Sequence, residues 1–359
     1  MAPKRVLLTG ANGYLAQHAL GQFLSAGHSV RGTVRSAAKA TQLKSTFSQY
    51  GPAQLDIVVV PDMTLPGAFD EALKSDPAFD WVIHTASPVS YRNTTAGSNE
   101  ENYVNPAVKG TMEVLEAIKR VAPCVTRVVL TSSIAAVIDW DPSIPYVTQP
   151  ARVYMGADWN PTTLEEVRAT TDAPEAYRAS KTFAERAAWE FVEREKPDFD
   201  LVTLCPPMVY GPVFDERWIG RPEELDQSAW NIYSRLLRPG LQSTDPVPPT
   251  GLHLYVDVRD IARAHLLSAS VPEAGGKRFV ICAGEMRYQR IANILRESLP
   301  EKRGTIPEGD PGQWSMEEGT YTASSEDAEK VLGLQFITAE STIGDFARQL
   351  ASIEARGGQ

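Results

Sequence analysis

Short apolar runs alternate with amphipathic stretches over the first two-thirds of the chain. The runs fall at Arg5 to Thr9, Ser29 to Val34, Leu55 to Val60, Trp81 to His84, Arg127 to Thr131 and Leu201 to Leu204. Short apolar runs of this kind read as strands. Between them apolar positions recur at helical spacing. Leu15, Ala19, Leu20, Phe23 and Leu24 predict a helix over about 13–26, and Val108, Met112, Leu115 and Ile118 predict one over about 104–120. Phe183, Ala184, Ala187, Ala188 and Phe191 predict a third over about 176–195. Strands alternating with helices predict an α/β fold, a doubly wound parallel sheet.

The texture changes after Pro206-Pro207, where residues 211–222 and 239–251 are irregular and rich in Pro, Gly and Trp. Alternation then returns: a strand over 253–256, a helix over 258–269, a strand over 278–281, and helices over 288–298, 323–332 and 341–353. The expected organisation is a dinucleotide-binding domain over 1–205, completed by roughly 252–283. A smaller, mostly C-terminal α/β substrate lobe is expected over 206–251 and 284–350.

Composition narrows the function classes. The chain has 359 residues, 43% of them apolar, and a net charge of -10. That length and apolar content support a large core. The charge argues against a nucleic-acid or anionic-membrane surface. Three cysteines far apart give neither a disulfide framework nor a CxxC site, and five histidines lack metal-ligand spacing, so no metal is expected. The opening residues lead directly into the first strand and no run reaches membrane-spanning length. A cytoplasmic protein without signal peptide or membrane span is expected, as monomer or homodimer.

The first strand feeds Thr9-Gly10-Ala11-Asn12-Gly13-Tyr14-Leu15-Ala16, a Gly-rich turn leading into a helix. Such a turn aims backbone N–H groups and a helix N-terminus at a pyrophosphate. Gly10 suits the tight turn, Gly13 the close approach of a phosphate, and Ala16 the close seat of the helix. The second strand ends at Val34-Arg35-Ser36, with Lys39 one helical turn on and no acid to take ribose hydroxyls. A guanidinium there suits a 2′-phosphate, which makes NADPH/NADP+ the expected cofactor. Ordinary solvated cations at Arg35 and Lys39 are the alternative, and Arg31 is expected to face solvent.

Tyr177 and Lys181 stand four residues apart on a predicted helix and so share a face. A lysine charge beside a phenol favours the phenolate, so the Tyr177 pKa is expected to drop toward neutrality, fitting it to give a proton to a forming alkoxide. None of the other tyrosines has a lysine at that spacing. The fifth strand ends at Ser132-Ser133. Sites in open α/β sheets gather beyond the carboxyl ends of the strands, so a serine there can hold a reacting carbonyl or merely cap a turn.

These motifs run in the order Thr9 to Ala16, His84-Thr-Ala-Ser-Pro88, Asn105-Pro-Ala-Val-Lys-Gly-Thr111, Thr131-Ser-Ser133, Tyr177-x-x-x-Lys181, Pro206-Pro-Met-Val-Tyr-Gly-Pro212 and Tyr255-Val-Asp-Val-Arg-Asp260. The chain resembles the extended short-chain dehydrogenases/reductases. Within them it is similar to the dihydroflavonol reductase, cinnamoyl-CoA reductase and fungal aldehyde/ketone (methylglyoxal-type) reductase group. The resemblance implies a Rossmann domain and an NADPH-dependent carbonyl reductase. It assigns Ser133 to orient the carbonyl, Tyr177 as general acid and Lys181 as the ribose-binding, pKa-lowering cation. Asn105 matches a helix asparagine that supports a water or the active-site helix, with an N-cap as equal alternative. Cofactor contacts are implied for Thr9, Gly10, Asn12, Gly13, Tyr14, Leu15, Arg35 and Lys39. Asp62 and Met63 fall beside the adenine, Thr85, Ala86 and Ser87 beside the riboses, and Pro207 and Val209 beside the nicotinamide amide. The long stretch between Ser133 and Tyr177 departs from the pattern.

Val89, Met208, Phe214, Trp218, Trp230 and Tyr233 are the expected pocket walls, and their bulk points to an apolar or aromatic small-molecule carbonyl substrate. Two other readings stand beside this one: a nucleotide-sugar epimerase or dehydratase of the same fold, and a non-catalytic dinucleotide-binding regulator.

Overall fold

The computed structural model describes residues 2–88, 97–141, 143–144 and 146–357, so Val89, Pro142 and Pro145 lie outside the described residues. Strands β1 (Arg5–Thr9), β2 (Ser29–Val34), β3 (Leu55–Val59), β4 (Trp81–His84) and β5 (Arg127–Thr131) fall on the predicted runs. The short β6 (Val153–Tyr154) is followed by β7 (Asp200–Cys205), β8 (Met208–Tyr210), β9 (Leu254–Asp257), β10 (Arg278–Val280), β11 (Gly284–Glu285) and β12 (Thr322–Ala323). Seven of them make a parallel sheet in the order β10-β7-β5-β4-β1-β2-β3. The order reverses between β1 and β4, and a ligand crevice opens at such a switch point beyond the strand ends.

The helices are α1 (Tyr14–Ser25), α2 (Ala37–Thr46), α3 (Asp70–Leu73), α4 (Asn105–Val121), α5 (Leu164–Ala169), α6 (Ala173–Glu195), α7 (Gln227–Ile232), α8 (Val258–Ser270), α9 (Tyr288–Ser298), α10 (Glu326–Leu332) and α11 (Ala339–Gly357). Side chains alternate across a strand. Val6 and Leu8 therefore join one core with Leu20 and Phe23 of α1, Leu43 of α2 and Ile261 of α8. Leu7, between them, faces the other core with Leu73 of α3, Leu115 and Ile118 of α4 and Phe191 of α6. Burial on both faces is why β1 and β4 read as apolar runs, whereas β2 and β3 carry Arg31 and Asp56.

Residues beyond β7 build a separate core. Tyr210, Ile232, Tyr233, Ile291, Leu295, Ile343 and Phe346 pack together, beside a three-stranded sheet in the order β11-β9-β8. β10 meanwhile returns to the edge of the main sheet.

One surface expectation is corrected. Arg31 does not face solvent: its Nε meets Asp56 Oδ2 at 2.5 Å, its Nη1 donates to the Ala72 and Lys74 carbonyls, and its guanidinium lies 5.5 Å from the Phe79 ring centroid. Asp56 on the neighbouring strand β3 sits in register with it and draws the charge inward.

Candidate active site

The Gly-rich turn is held from below. Gly10 has φ +65°, and a Cβ on it would lie 3.0 Å from Ala86 Cα, so both backbone and space require glycine. Thr9 is fully buried: its Oγ1 accepts from Ala86 N–H at 3.2 Å and is hydrogen-bonded to His84 Nδ1 at 2.9 Å. Thr85 Oγ1 donates to the Thr9 carbonyl at 2.5 Å. Thr9 thus props the turn from beneath and does not face a ligand, because its only side-chain oxygen is committed to β4 and the residues after it.

Over the turn lies a cleft of about 540 Å³ lined by Gly10, Asn12 and Gly13, by Arg35 after β2, by Asp62 and Met63 after β3, and by Thr85, Ala86 and Ser87 after β4. The Arg35 guanidinium is exposed at its edge and makes no hydrogen bond or ion pair among the described residues. Asp62 accepts from Thr64 N–H at 2.8 Å and from Thr64 Oγ1 at 2.7 Å, which holds its carboxyl below the usual range. Lys39 is placed elsewhere. Its Nζ donates to Gln42 at 3.3 Å and lies 5.1 Å from the Trp218 ring centroid, on a neighbouring hollow of about 530 Å³. Tyr14 lines that hollow too, its hydroxyl donating to the Gly211 carbonyl at 2.8 Å.

A cavity of about 750 Å³ lies across the ends of β5 and β7 and is lined by Ser133, Tyr177 and Lys181, with Leu15, Pro207, Met208 and Val209. A narrow hollow shares Ala86 and Ser87 with the cleft and Ser132 and Lys181 with the cavity. Helix α6 carries Tyr177 and Lys181 on one face, with Lys181 Nζ 5.9 Å from the Tyr177 ring centroid. Ser133 caps a short 3₁₀ turn and also lines the cavity. Its Oγ accepts from Ala135 N–H at 3.1 Å. A hydroxyl that accepts one bond keeps its own proton to donate.

The electrostatics differ from expectation. Burial pushes the Tyr177 phenol up to about 12 and the Lys181 ammonium down to about 8, so Tyr177 is not lowered toward neutrality. Desolvation penalises the charged form of each and outweighs the attraction between a phenolate and an ammonium. Glu185, one turn on from Lys181, opposes the lysine shift. His84 is driven down to about 3 by burial and then by the Lys181 charge.

Asn105 is not an N-cap. A single π-turn over Glu100–Val104 runs into α4, and Asn105 has helical φ -59° and ψ -44° within that continuous helix. The aromatic wall is likewise redistributed. Phe214 stacks on Phe47 at 4.9 Å, and Trp218 donates to Thr46 Oγ1 at 2.7 Å, both over α2 on the neighbouring hollow. Tyr233 is buried in the lobe core, and Trp230 packs on its ring at 5.8 Å. Of the described expected walls only Met208 lines the 750 Å³ cavity; the chain turns back over α1 and α2 after β8, which carries Phe214 and Trp218 away.

Trp140, Arg178 and Leu252 line the cavity instead. Sequence reasoning also missed the support beneath it. Glu185 is 1% exposed and receives Arg278 Nε at 2.8 Å, Arg278 Nη2 at 3.1 Å and Ser132 Oγ at 2.6 Å. Arg278 further donates to the carbonyls of Ala136, Gly156 and Asp158 and lies 3.8 Å from the Trp159 ring centroid. This pair ties α6 to the long stretch after Ser133. Its signal in the sequence was an acid at helical spacing from Lys181, but nothing marked Arg278 as its partner.

Residues 6–282 match the NAD dependent epimerase/dehydratase family. The chain belongs to that family. Ketoreductase azaE of Aspergillus niger is 38% identical over 346 residues, covering 95% of this chain and 96% of the relative. The NADPH-dependent methylglyoxal reductase GRE2 of Saccharomyces cerevisiae is 34% identical, covering 98% of this chain and 99% of its own. The crystal structure of yeast methylglyoxal/isovaleraldehyde reductase Gre2 complexed with NADPH superposes with TM-score 0.86 at 33% identity, over 98% of this chain and 99% of that one. These likenesses bear out the resemblance drawn from the motifs and the Rossmann fold it implied. No described helix is long and apolar enough to cross a membrane.

Proposed function

We propose that this protein is an NADPH-dependent carbonyl reductase in which Tyr177 donates the proton. The observation that carries the reading is the convergence of Ser133, Tyr177 and Lys181 in one cavity, with a hollow that shares lining residues with both it and the glycine-turn cleft. The cleft fits a phosphorylated dinucleotide: the tight turn that Gly10 permits lines it, and Arg35 is an uncommitted cation at its edge. Gly10, Asn12 and Gly13 would hold the pyrophosphate, Arg35 the 2′-phosphate, Asp62 and Met63 the adenine side, and Thr85 to Ser87 with Lys181 the riboses. Leu15, Pro207 and Val209 fall on the nicotinamide side. Bound NADPH supplies a hydride to the carbonyl carbon.

The chain's own part is proton management and orientation. Ser133 Oγ donates to the substrate oxygen and fixes its direction. Tyr177, protonated across the physiological range, gives its proton to that oxygen as negative charge develops. Lys181, while charged, offsets the phenolate left behind. Trp140, Met208 and Leu252 supply apolar wall, which favours an apolar or aromatic carbonyl compound.

Arg35→Ala is expected to raise KM for NADPH by about 10- to 100-fold, the size of a charge-assisted contact with phosphate, while KM for NADH changes little. Equal losses for both cofactors would remove Arg35 from the 2′-phosphate role.

Lys181 at about 8 gives a second expectation. Its ammonium is present below that pH and lost above it, whereas Tyr177 keeps its proton, so kcat/KM falls on the alkaline side near pH 8. In Lys181→Arg the guanidinium stays charged, so residual activity should lack that limb. A limb that persists in Lys181→Arg would assign it to another group.

A further inference from the structure

Arg178 follows Tyr177 on α6 and lines the same cavity as Ser133 and Trp140. Its guanidinium lies over the Trp140 ring, 4.7 Å from the centroid, and its Nε is buried without a hydrogen-bond partner. The carboxylate nearest it is Asp172, 3.9 Å from Nη2 and 53% exposed, too far for a hydrogen bond and well screened by solvent. Charged side chains lining the cavity are Arg178 and Lys181; among the described residues no Asp or Glu joins them. This is notable in a chain of net charge -10. A cavity whose fixed charges are all positive favours an anionic occupant. The guanidinium fork presents paired donors that match a carboxylate.

We propose that Arg178 is a specificity residue that selects oxo acids, holding a substrate carboxylate against the Arg178–Trp140 wall while the reacting carbonyl lies at Ser133 and Tyr177. The proposal rests on the reductase reading and names its substrate class. An oxo acid with an aryl or alkyl spacer uses every part of the site: the carboxylate meets Arg178, the spacer meets Trp140, Met208 and Leu252, and the carbonyl meets the proton donor. The nicotinamide would take the Leu15, Pro207 and Val209 side of the 750 Å³ cavity, and the spacer the remainder. Arg178 acts on binding and orientation and takes no part in proton transfer.

The test uses matched pairs with NADPH: 4-acetylbenzoate against 4-methylacetophenone, and 5-oxohexanoate against 2-hexanone. The native enzyme is expected to show higher kcat/KM for the acid in each pair. Arg178→Met keeps the stem over Trp140 and removes the charge, so the acid-to-neutral ratio of kcat/KM should fall by about 10- to 100-fold, carried mainly by KM. Arg178→Lys should recover part of that ratio. A preference of the native enzyme for the neutral partners, or a fall in both members of a pair with the ratio intact, would reduce Arg178 to wall packing and overturn the proposal. Failure of every carbonyl compound to oxidise NADPH would instead overturn the reductase reading. In that event, binding to the NADP+ complex still judges the cavity: tighter binding of 4-acetylbenzoate than of 4-methylacetophenone supports the proposal, and equal binding refutes it.

Discussion

Tyr177→Phe is expected to lower kcat by at least about 10²-fold while the dissociation constant for NADPH stays within a few-fold, because the substitution removes a transferable proton and leaves the ring. The phenol lines the cavity, is held protonated by burial, and is set beside Ser133 and Lys181. Stopped-flow reduction of an aromatic aldehyde, with NADPH binding followed separately by fluorescence, separates the two effects. Near-native turnover in Tyr177→Phe would transfer the acid role to another group. Loss of NADPH binding alone would make Tyr177 a structural residue of the cofactor cleft.

Arg278→Leu is expected to destabilise the protein by about 3–5 kcal/mol, since it leaves Glu185 buried without its countercharge. The same change frees the carbonyls of Ala136, Gly156 and Asp158 and removes the guanidinium from the Trp159 ring. The midpoint of urea unfolding reads the loss. Glu185→Leu added to Arg278→Leu should recover part of it, because a well-packed apolar pair no longer carries an unpaired buried charge. A single variant as stable as the parent would show that the pair does not anchor the stretch between Ser133 and Tyr177.

Strand β1 was legible because both of its faces are buried. Val6, Leu7 and Leu8 are all fully covered, so no polar position interrupts the run. Tyr177 and Lys181 were legible for a different reason: a four-residue spacing on a helix dictates a shared face whatever the tertiary setting. Helices α2 and α7 escaped detection because each buries few apolar side chains, Ala40 and Leu43 in one and Ala229 and Ile232 in the other. Phe214 and Trp218 were misplaced because bulk in a loop says nothing about where the chain turns. Their rings found Phe47 and Thr46 at the C-terminal end of α2 instead of the cavity. The Tyr177 pKa was misjudged because sequence shows the lysine four residues away and hides the desolvation that dominates it. Arg178 and Trp140, 38 positions apart, meet only through the fold.

Reduction of a ketone with NADPH carrying deuterium at nicotinamide C4, followed by mass and NMR analysis of the alcohol, tests the central claim most directly. Both C4 positions are labelled, so the outcome does not depend on which face of the ring delivers the hydride. One deuterium on the carbinol carbon, with NADP+ released in equal amount and the transfer all but abolished in Tyr177→Phe, is the result predicted. An unlabelled alcohol, or NADPH that keeps its label with no alcohol formed, would contradict it.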